Sequence, residues 1–244
     1  MVMKLCNSIN YRLHRYFAGS KPVFPMIIIL CFIGSMYTFK PMDVISGYII
    51  SGVFVFGLMT FVTFNIGGSE EKVEEQILFL RGNSLIDYYI SRELGLIVIC
   101  ALYSFITAIA PVFVNAMNGF NFFTRSLTVH DVVMGIILLF GSGLAGTLIG
   151  DLLNLRIMKN RKLSLMLTAM IALLTFSNDG IQQKVSYLGI LKFLLPPIMT
   201  PAKIFSGADV INTGKMLIIF LQIIINYVVF TAIKIAVMNK NRFN

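Results

Sequence analysis

Charge is what this sequence has least of. Only 13% of its 244 residues are Asp, Glu, Lys or Arg, whereas 57% are hydrophobic and the mean hydropathy is +0.83. A water-bathed surface needs about 25% charged residues, so an ordinary soluble domain is excluded. Cysteine is scarce too. Cys6, Cys31 and Cys100 form no C-x-x-C pair, which removes a disulfide framework and a thiolate zinc site. Histidine occurs only as His14 and His130, outside any H-E-x-x-H pattern, and G-x-S-x-G is missing. Metalloprotease and intramembrane serine-protease chemistry therefore lack their parts. The nearest approach to a G-x-x-x-x-G-K-[ST] phosphate loop is Gly207 to Gly214 and Lys215, with the wrong spacing and no hydroxyl. Any ATP hydrolysis belongs to another polypeptide.

Acidic residues are missing from the middle of every apolar run. Asp43, Asp131 and Asp151 fall at run ends, where charge meets water cheaply, so the usual mark of proton or sodium coupling is absent. The first 21 residues contain no apolar stretch followed by a small-residue cleavage site, and no removed signal peptide is expected.

What the sequence has instead is long uncharged runs. A hydrocarbon layer of roughly 30 Å takes about 20 residues of helix. Residues 22–39, 44–64, 94–114, 132–150 and 216–233 each run 18 to 21 residues without a charge. A sixth run, 163–176, reaches span length only with its polar flanks. The expectation is an all-α integral membrane protein: one transmembrane domain over 1–244, with spans 22–39, 44–64, 94–114, 132–150, 160–178 and 216–238.

Residues 187–205 are also apolar but hold Lys192, Lys203, Pro196, Pro197 and Pro201. Proline removes backbone donors and breaks helix, and a break facing lipid is costly. The expected form of 187–207 is a pair of short pieces re-entering the membrane from outside. The net charge of +9 then reads as topology, with no nucleic acid implied. With six spans and a cytoplasmic N-terminus, fourteen of the twenty Lys and Arg fall on the inner side and six on the outer. That is the positive-inside bias, and it places both termini in the cytoplasm.

Two linking segments stand out. Within 1–21, Leu5, Ile9, Leu13, Tyr16 and Phe17 form one apolar stripe among Lys4, Arg12, His14 and Arg15, an amphipathic helix suited to an anionic leaflet. After the second span, Ser69 can cap a helix over 69–82 whose first turn carries Glu70 and Glu71. Val73, Ile77 and Leu80 make its apolar stripe, widened by Leu78 and Phe79, and Glu74 and Glu75 extend an acidic face.

Residues 141–146 match G-x-G-x-x-G but lie inside a span, so they do not read as a dinucleotide loop. Ser142, Gly146 and Gly150, spaced by four, suit close helix packing. Thr60, Thr63 and Asn65 near the inner end of span two either line a pathway or satisfy local backbone.

The order of these parts resembles the membrane subunits of ABC-2 type transporters. The resemblance rests on the basic helix before span one, the Glu-rich helix after span two with its 85–92 approach to span three, the short basic loop between spans four and five, and the proline-broken segment before span six. It implies that 69–82 is a coupling helix, with Glu70, Glu71, Glu74 and Glu75 facing basic groups of a cytoplasmic ATPase. Leu78 and Phe79 would fill its groove, and Arg81 would close the helix. It implies Pro196, Pro197 and Pro201 in an outer gate, ATP and Mg2+ held by two partner ATPase subunits, and a dimer with a second copy or a paralogue. The implied function is export of amphipathic or hydrophobic peptides across a bacterial cytoplasmic membrane, of the bacteriocin-immunity or toxin-secretion kind. The permease itself would be no enzyme. Drug or lipid export is the neighbouring reading, and the membrane subunit of a vitamin uptake system the reading from another class.

Overall fold

The computed structural model describes residues 2–68, 85–153, 160–184, 195–205, 207–208 and 210–240. Among them every named element is a helix: α1 (Val2–Ala18), α2 (Val23–Met36), α3 (Val44–Gly68), α4 (Leu85–Met117), α5 (Val129–Leu152), α6 (Arg161–Lys184), α7 (Thr200–Phe205) and α8 (Thr213–Lys240). Four of these, α3, α4, α5 and α8, are long and apolar enough to cross a membrane. The pair α1 and α2, bent by 68° at its break, would make a fifth crossing if counted as one. This is the build of a membrane-embedded helical protein.

The helix α5 is the centre of the bundle because small residues line three of its faces. Toward α3, a Cβ on Gly146 would stand 2.3 Å from the Phe56 carbonyl oxygen, and one on Gly150 2.4 Å from that of Thr60. Toward α4, Gly143 leaves room for Cys100 and Ser104, and toward α8, Gly141 receives Phe220 and Ile223. Where lipid competes with side chains on equal terms, such backbone approach supplies the contact energy. Three large helices thus close on one small-faced helix.

Several elements depart from their sequence-based bounds. The second helix has only 14 residues, about 21 Å at the α-helical rise, so span 22–39 is shorter than expected. It lies antiparallel along α3, with Phe32 stacked on Phe54 at 3.8 Å and Phe24 against Phe61 at 5.5 Å. The fourth helix begins at Leu85 rather than 94, so Arg92 and Glu93 lie inside it. The stripe of α1 is partly spent on protein: Tyr16 is buried, and its hydroxyl meets that of Tyr103 at 2.7 Å. The Arg12 guanidinium sits 4.5 Å over the Tyr88 ring. An amphipathic helix does form there, and one side of it is docked along α4.

Candidate functional site

Helical periodicity brings ionisable groups from three helices together at one end of the bundle. Asp151 is the penultimate residue of α5. Arg92 lies two turns into α4, and Lys234 follows Tyr227 by seven residues on one face of α8. The Arg92 fork grips Asp151 through both nitrogens, Nη1 donating to Oδ2 at 2.9 Å and Nη2 to Oδ1. Lys234 donates to both Asp151 and Glu93. Tyr227 donates its hydroxyl to Glu93 Oε2 at 2.9 Å, and Arg92 stands 3.8 Å from Glu93. Exposures run from 2% for Asp151 to 7% for Glu93. Among the described residues two cations face two carboxylates, so these four charges balance and each carboxylate has hydrogen-bond donors. That is the condition for tolerating charge at this depth.

This corrects the sequence reading on two points. Asp151 does not rest at a watery span end, since it is buried against two cations. Arg92 and Lys234, counted among the inner-side charges, are paired with Asp151 and Glu93 within the bundle.

The opposite end carries a second cluster. Asp131 is fully buried, and Arg125 grips it with both nitrogens at 2.7 Å. Thr128 caps α5 by a reciprocal capping box with Asp131, satisfying backbone donors that would otherwise be orphaned. Asp131 does lie at a helix end, in the first turn of α5, but buried rather than in water, whereas Asp43 is exposed and accepts from the Ser46 amide at 2.8 Å. Around this end, Thr124 N donates to the Met42 carbonyl at 3.0 Å, and His130 Nε2 lies 3.0 Å from Thr213 Oγ1. The start of α8 is thereby held beside the start of α5.

Comparison with protein-family models, curated proteins and solved structures gives no match for the chain. Its function has to be argued from its own residues.

Of the residues singled out by sequence, Ser142, Gly146 and Gly150 lie on the α3–α5 contact, Ser142 beside Gly52. Thr60 also lies there and donates to the Phe56 carbonyl at 2.8 Å, while Asn65 donates to that of Phe61 at 3.1 Å. Both therefore satisfy local backbone. Thr63 is buried, and its hydroxyl has no partner among the described residues. None of the three lines the cavity of about 60 Å³ at the Asp151 end, which is formed chiefly by Arg12, Tyr16, Ile66, Arg92 and Leu96. Pro196, Pro197 and Pro201 are buried, the last within the short helix α7 that precedes α8 and packs on α3. The proposed coupling residues Glu70, Glu71, Glu74, Glu75, Leu78, Phe79 and Arg81 lie outside the described residues, as does 187–194 of the re-entrant segment.

The sequence did hold one signal for the buried cluster. Asp151 and the Arg92–Glu93 pair bracket uncharged runs at ends that six-span topology puts on the same side, and Lys234 closes the last run there.

Proposed function

We propose that the chain is the transmembrane subunit of an ABC-2 type exporter that moves amphipathic or hydrophobic peptides, powered by separate ATPase subunits. The observation that carries this reading is the acidic, amphipathic segment 69–82 between α3 and α4, on a side otherwise rich in Lys and Arg. A plain connection between two neighbouring helices takes a few residues. This one is long enough and patterned enough to present Leu78 and Phe79 with four glutamates to a basic partner.

Six spans remain the proposed topology, with α2, α3, α4, α5, α6 and α8 as the crossings. Support for α6 comes from where its polar groups go. Ser164, Thr168 and Thr175 are buried, and the two threonines donate to carbonyls one turn back, while Met166, Met170 and Leu173 are exposed as a lipid-facing stripe. The Asp151 end is assigned to the cytoplasm. Removing the paired Arg92 and Lys234 from one side and Arg125 from the other leaves the excess of basic residues on the same side. The bacterial cytoplasmic membrane, a second permease copy or paralogue, and ATP with Mg2+ in two partner ATPases complete the proposal.

Affinity purification of the tagged chain in mild detergent, followed by mass spectrometry, tests it. A stoichiometric soluble protein with a phosphate-binding loop is expected. Its absence even after crosslinking in membranes overturns the reading and favours a self-contained channel or binding subunit.

A further inference from the structure

Apolar side chains would hold three helices together at least as firmly as buried charges do, because desolvation consumes much of an ion pair's attraction. Four charges at the Asp151 end therefore call for a role beyond adhesion. Their hydrogen bonds are unequally shared. Asp151 has the planar two-nitrogen grip of Arg92 as well as Lys234, whereas Glu93 depends on Lys234 and Tyr227, with Arg92 at 3.8 Å. Lys234 is thus shared by both carboxylates. It is also the flexible cation, a point charge on a four-carbon stem, whereas the Arg fork is fixed by its planarity.

Of the four long apolar helices, the one that carries Lys234 is the least buried. Only 28% of the most apolar stretch of α8 is buried, against 72% for α5. Its Asp131 end is fastened by the His130–Thr213 contact and by Phe220 and Ile223 seated on Gly141. At the Asp151 end the described ties are the polar bonds of Lys234 and Tyr227, the packing of Phe230 on the core and that of Ile235 on the Tyr88–Tyr89 pair. A helix pinned at one end and tied by charge at the other can swing about the pinned end.

We infer that the Arg92–Glu93–Asp151–Lys234 cluster is an ionic switch, with Lys234 as the moving partner. While Lys234 bridges Glu93 and Asp151, α8 is shut against α4 and α5. When Lys234 withdraws, its stem is long enough to carry the ammonium toward the membrane surface. Asp151 keeps Arg92, Glu93 meets entering water, and the Asp151 end of α8 opens. The switch stands whether or not an ATPase drives it.

The test uses the full chain in native membranes, with Cys6 and Cys31 replaced by Ser and Cys100 by Ala. One cysteine pair, Tyr89→Cys with Ile235→Cys, reports the switching end. A second, His130→Cys with Thr213→Cys, reports the pinned end, which Phe220 and Ile223 on Gly141 still fasten in that variant. Lys234→Met leaves one carboxylate charge uncompensated, and the switching-end crosslink should form about tenfold more slowly with the pinned-end crosslink unchanged. Lys234→Arg keeps the charge, so its switching-end rate should stay above that of Lys234→Met with the pinned-end rate unchanged. Glu93→Gln with Lys234→Met removes one charge of each sign, keeps the Arg92–Asp151 pair, and should crosslink faster than the parent because the helix no longer opens. The inference is overturned if Lys234→Met leaves the switching-end rate unchanged or slows both pairs together, which is the signature of plain structural support. It is equally overturned if the neutral double variant crosslinks no faster than the parent. Should Lys234→Met fail to reach the membrane, the double variant against the parent decides.

Discussion

Gly146 lies against Phe56 so closely that its α-hydrogen side faces the Phe56 carbonyl oxygen, with no space for a methyl group between α5 and α3. One turn on, Gly150 meets the Thr60 carbonyl in the same way. The obstacle in both cases is backbone, which cannot rotate aside as a side chain can. Gly146→Ala should therefore push the two helices apart and cost about 1–3 kcal/mol, the range for overpacking a well-filled core. Gly57→Ala, in the facing stretch of α3 with nothing within 4 Å of its Cβ position, is the control and should cost nothing or add up to about 1 kcal/mol through helix propensity. Thermal unfolding in detergent compares the two. Equal melting temperatures for both variants would remove the close approach as a stabilising contact.

The Arg92–Asp151 pair makes a prediction of opposite kinds for single and double variants. Arg92→Met leaves a carboxylate deficit of one cation in a buried setting and should destabilise by about 3–5 kcal/mol. Arg92→Met with Asp151→Asn removes one charge of each sign and leaves Lys234 beside Glu93. The double variant should recover most of the loss. A double-mutant cycle on detergent unfolding measures the coupling, and additive losses would show that the two charges do not depend on one another.

Tyr16 and Tyr103 join α1 to α4 through one hydroxyl–hydroxyl hydrogen bond between buried side chains. Tyr103→Phe strands the Tyr16 hydroxyl and should cost about 1–3 kcal/mol, whereas removing both hydroxyls should cost less than the sum of the singles. The same variants report on the docking of α1, because a helix that merely floats on the leaflet would be indifferent to either. Limited proteolysis near Gly19, at the break between α1 and α2, gives the readout. Unchanged cleavage in Tyr103→Phe would count against docking.

The sequence displays the helices because uncharged runs of span length have few other uses. It misplaces their ends wherever a charge is cancelled by a partner far along the chain. Arg92 reads as the flank of a span starting at 94, and nothing in the spacing says that it pairs with Asp151, 59 residues later, within a helix that begins at Leu85. Asp131 reads as solvated for a related reason: the Arg125 that covers it sits in the preceding loop, and nothing in the spacing says that the loop folds back. The four-residue spacing of Ser142, Gly146 and Gly150 announces a packing face, but which helix it meets is decided by three dimensions. Thr60 and Asn65 show the converse limit. Polar residues near a span end suggest a pathway, and here both hydroxyl and amide turn to the carbonyl one turn back.

The coupling proposal predicts two separable defects in the segment between α3 and α4. Leu78 and Phe79 would supply apolar grip, and Glu74 and Glu75 long-range attraction to a basic groove. Leu78→Ala with Phe79→Ala should leave membrane insertion and ATPase binding in place but abolish stimulation of ATP hydrolysis by the permease, since a loose contact transmits no displacement. Glu74→Lys with Glu75→Lys should instead weaken association, most at low ionic strength, because exposed charges are screened beyond a Debye length of about 10 Å at 0.1 M salt. Co-purified ATPase is quantified against salt concentration for both variants. Salt-independent binding in the charge-reversed chain, at the level of the parent, would sink the electrostatic half of the proposal. Intact stimulation in the Leu78–Phe79 variant would sink the mechanical half, and the acidic segment would then be a solvated linker.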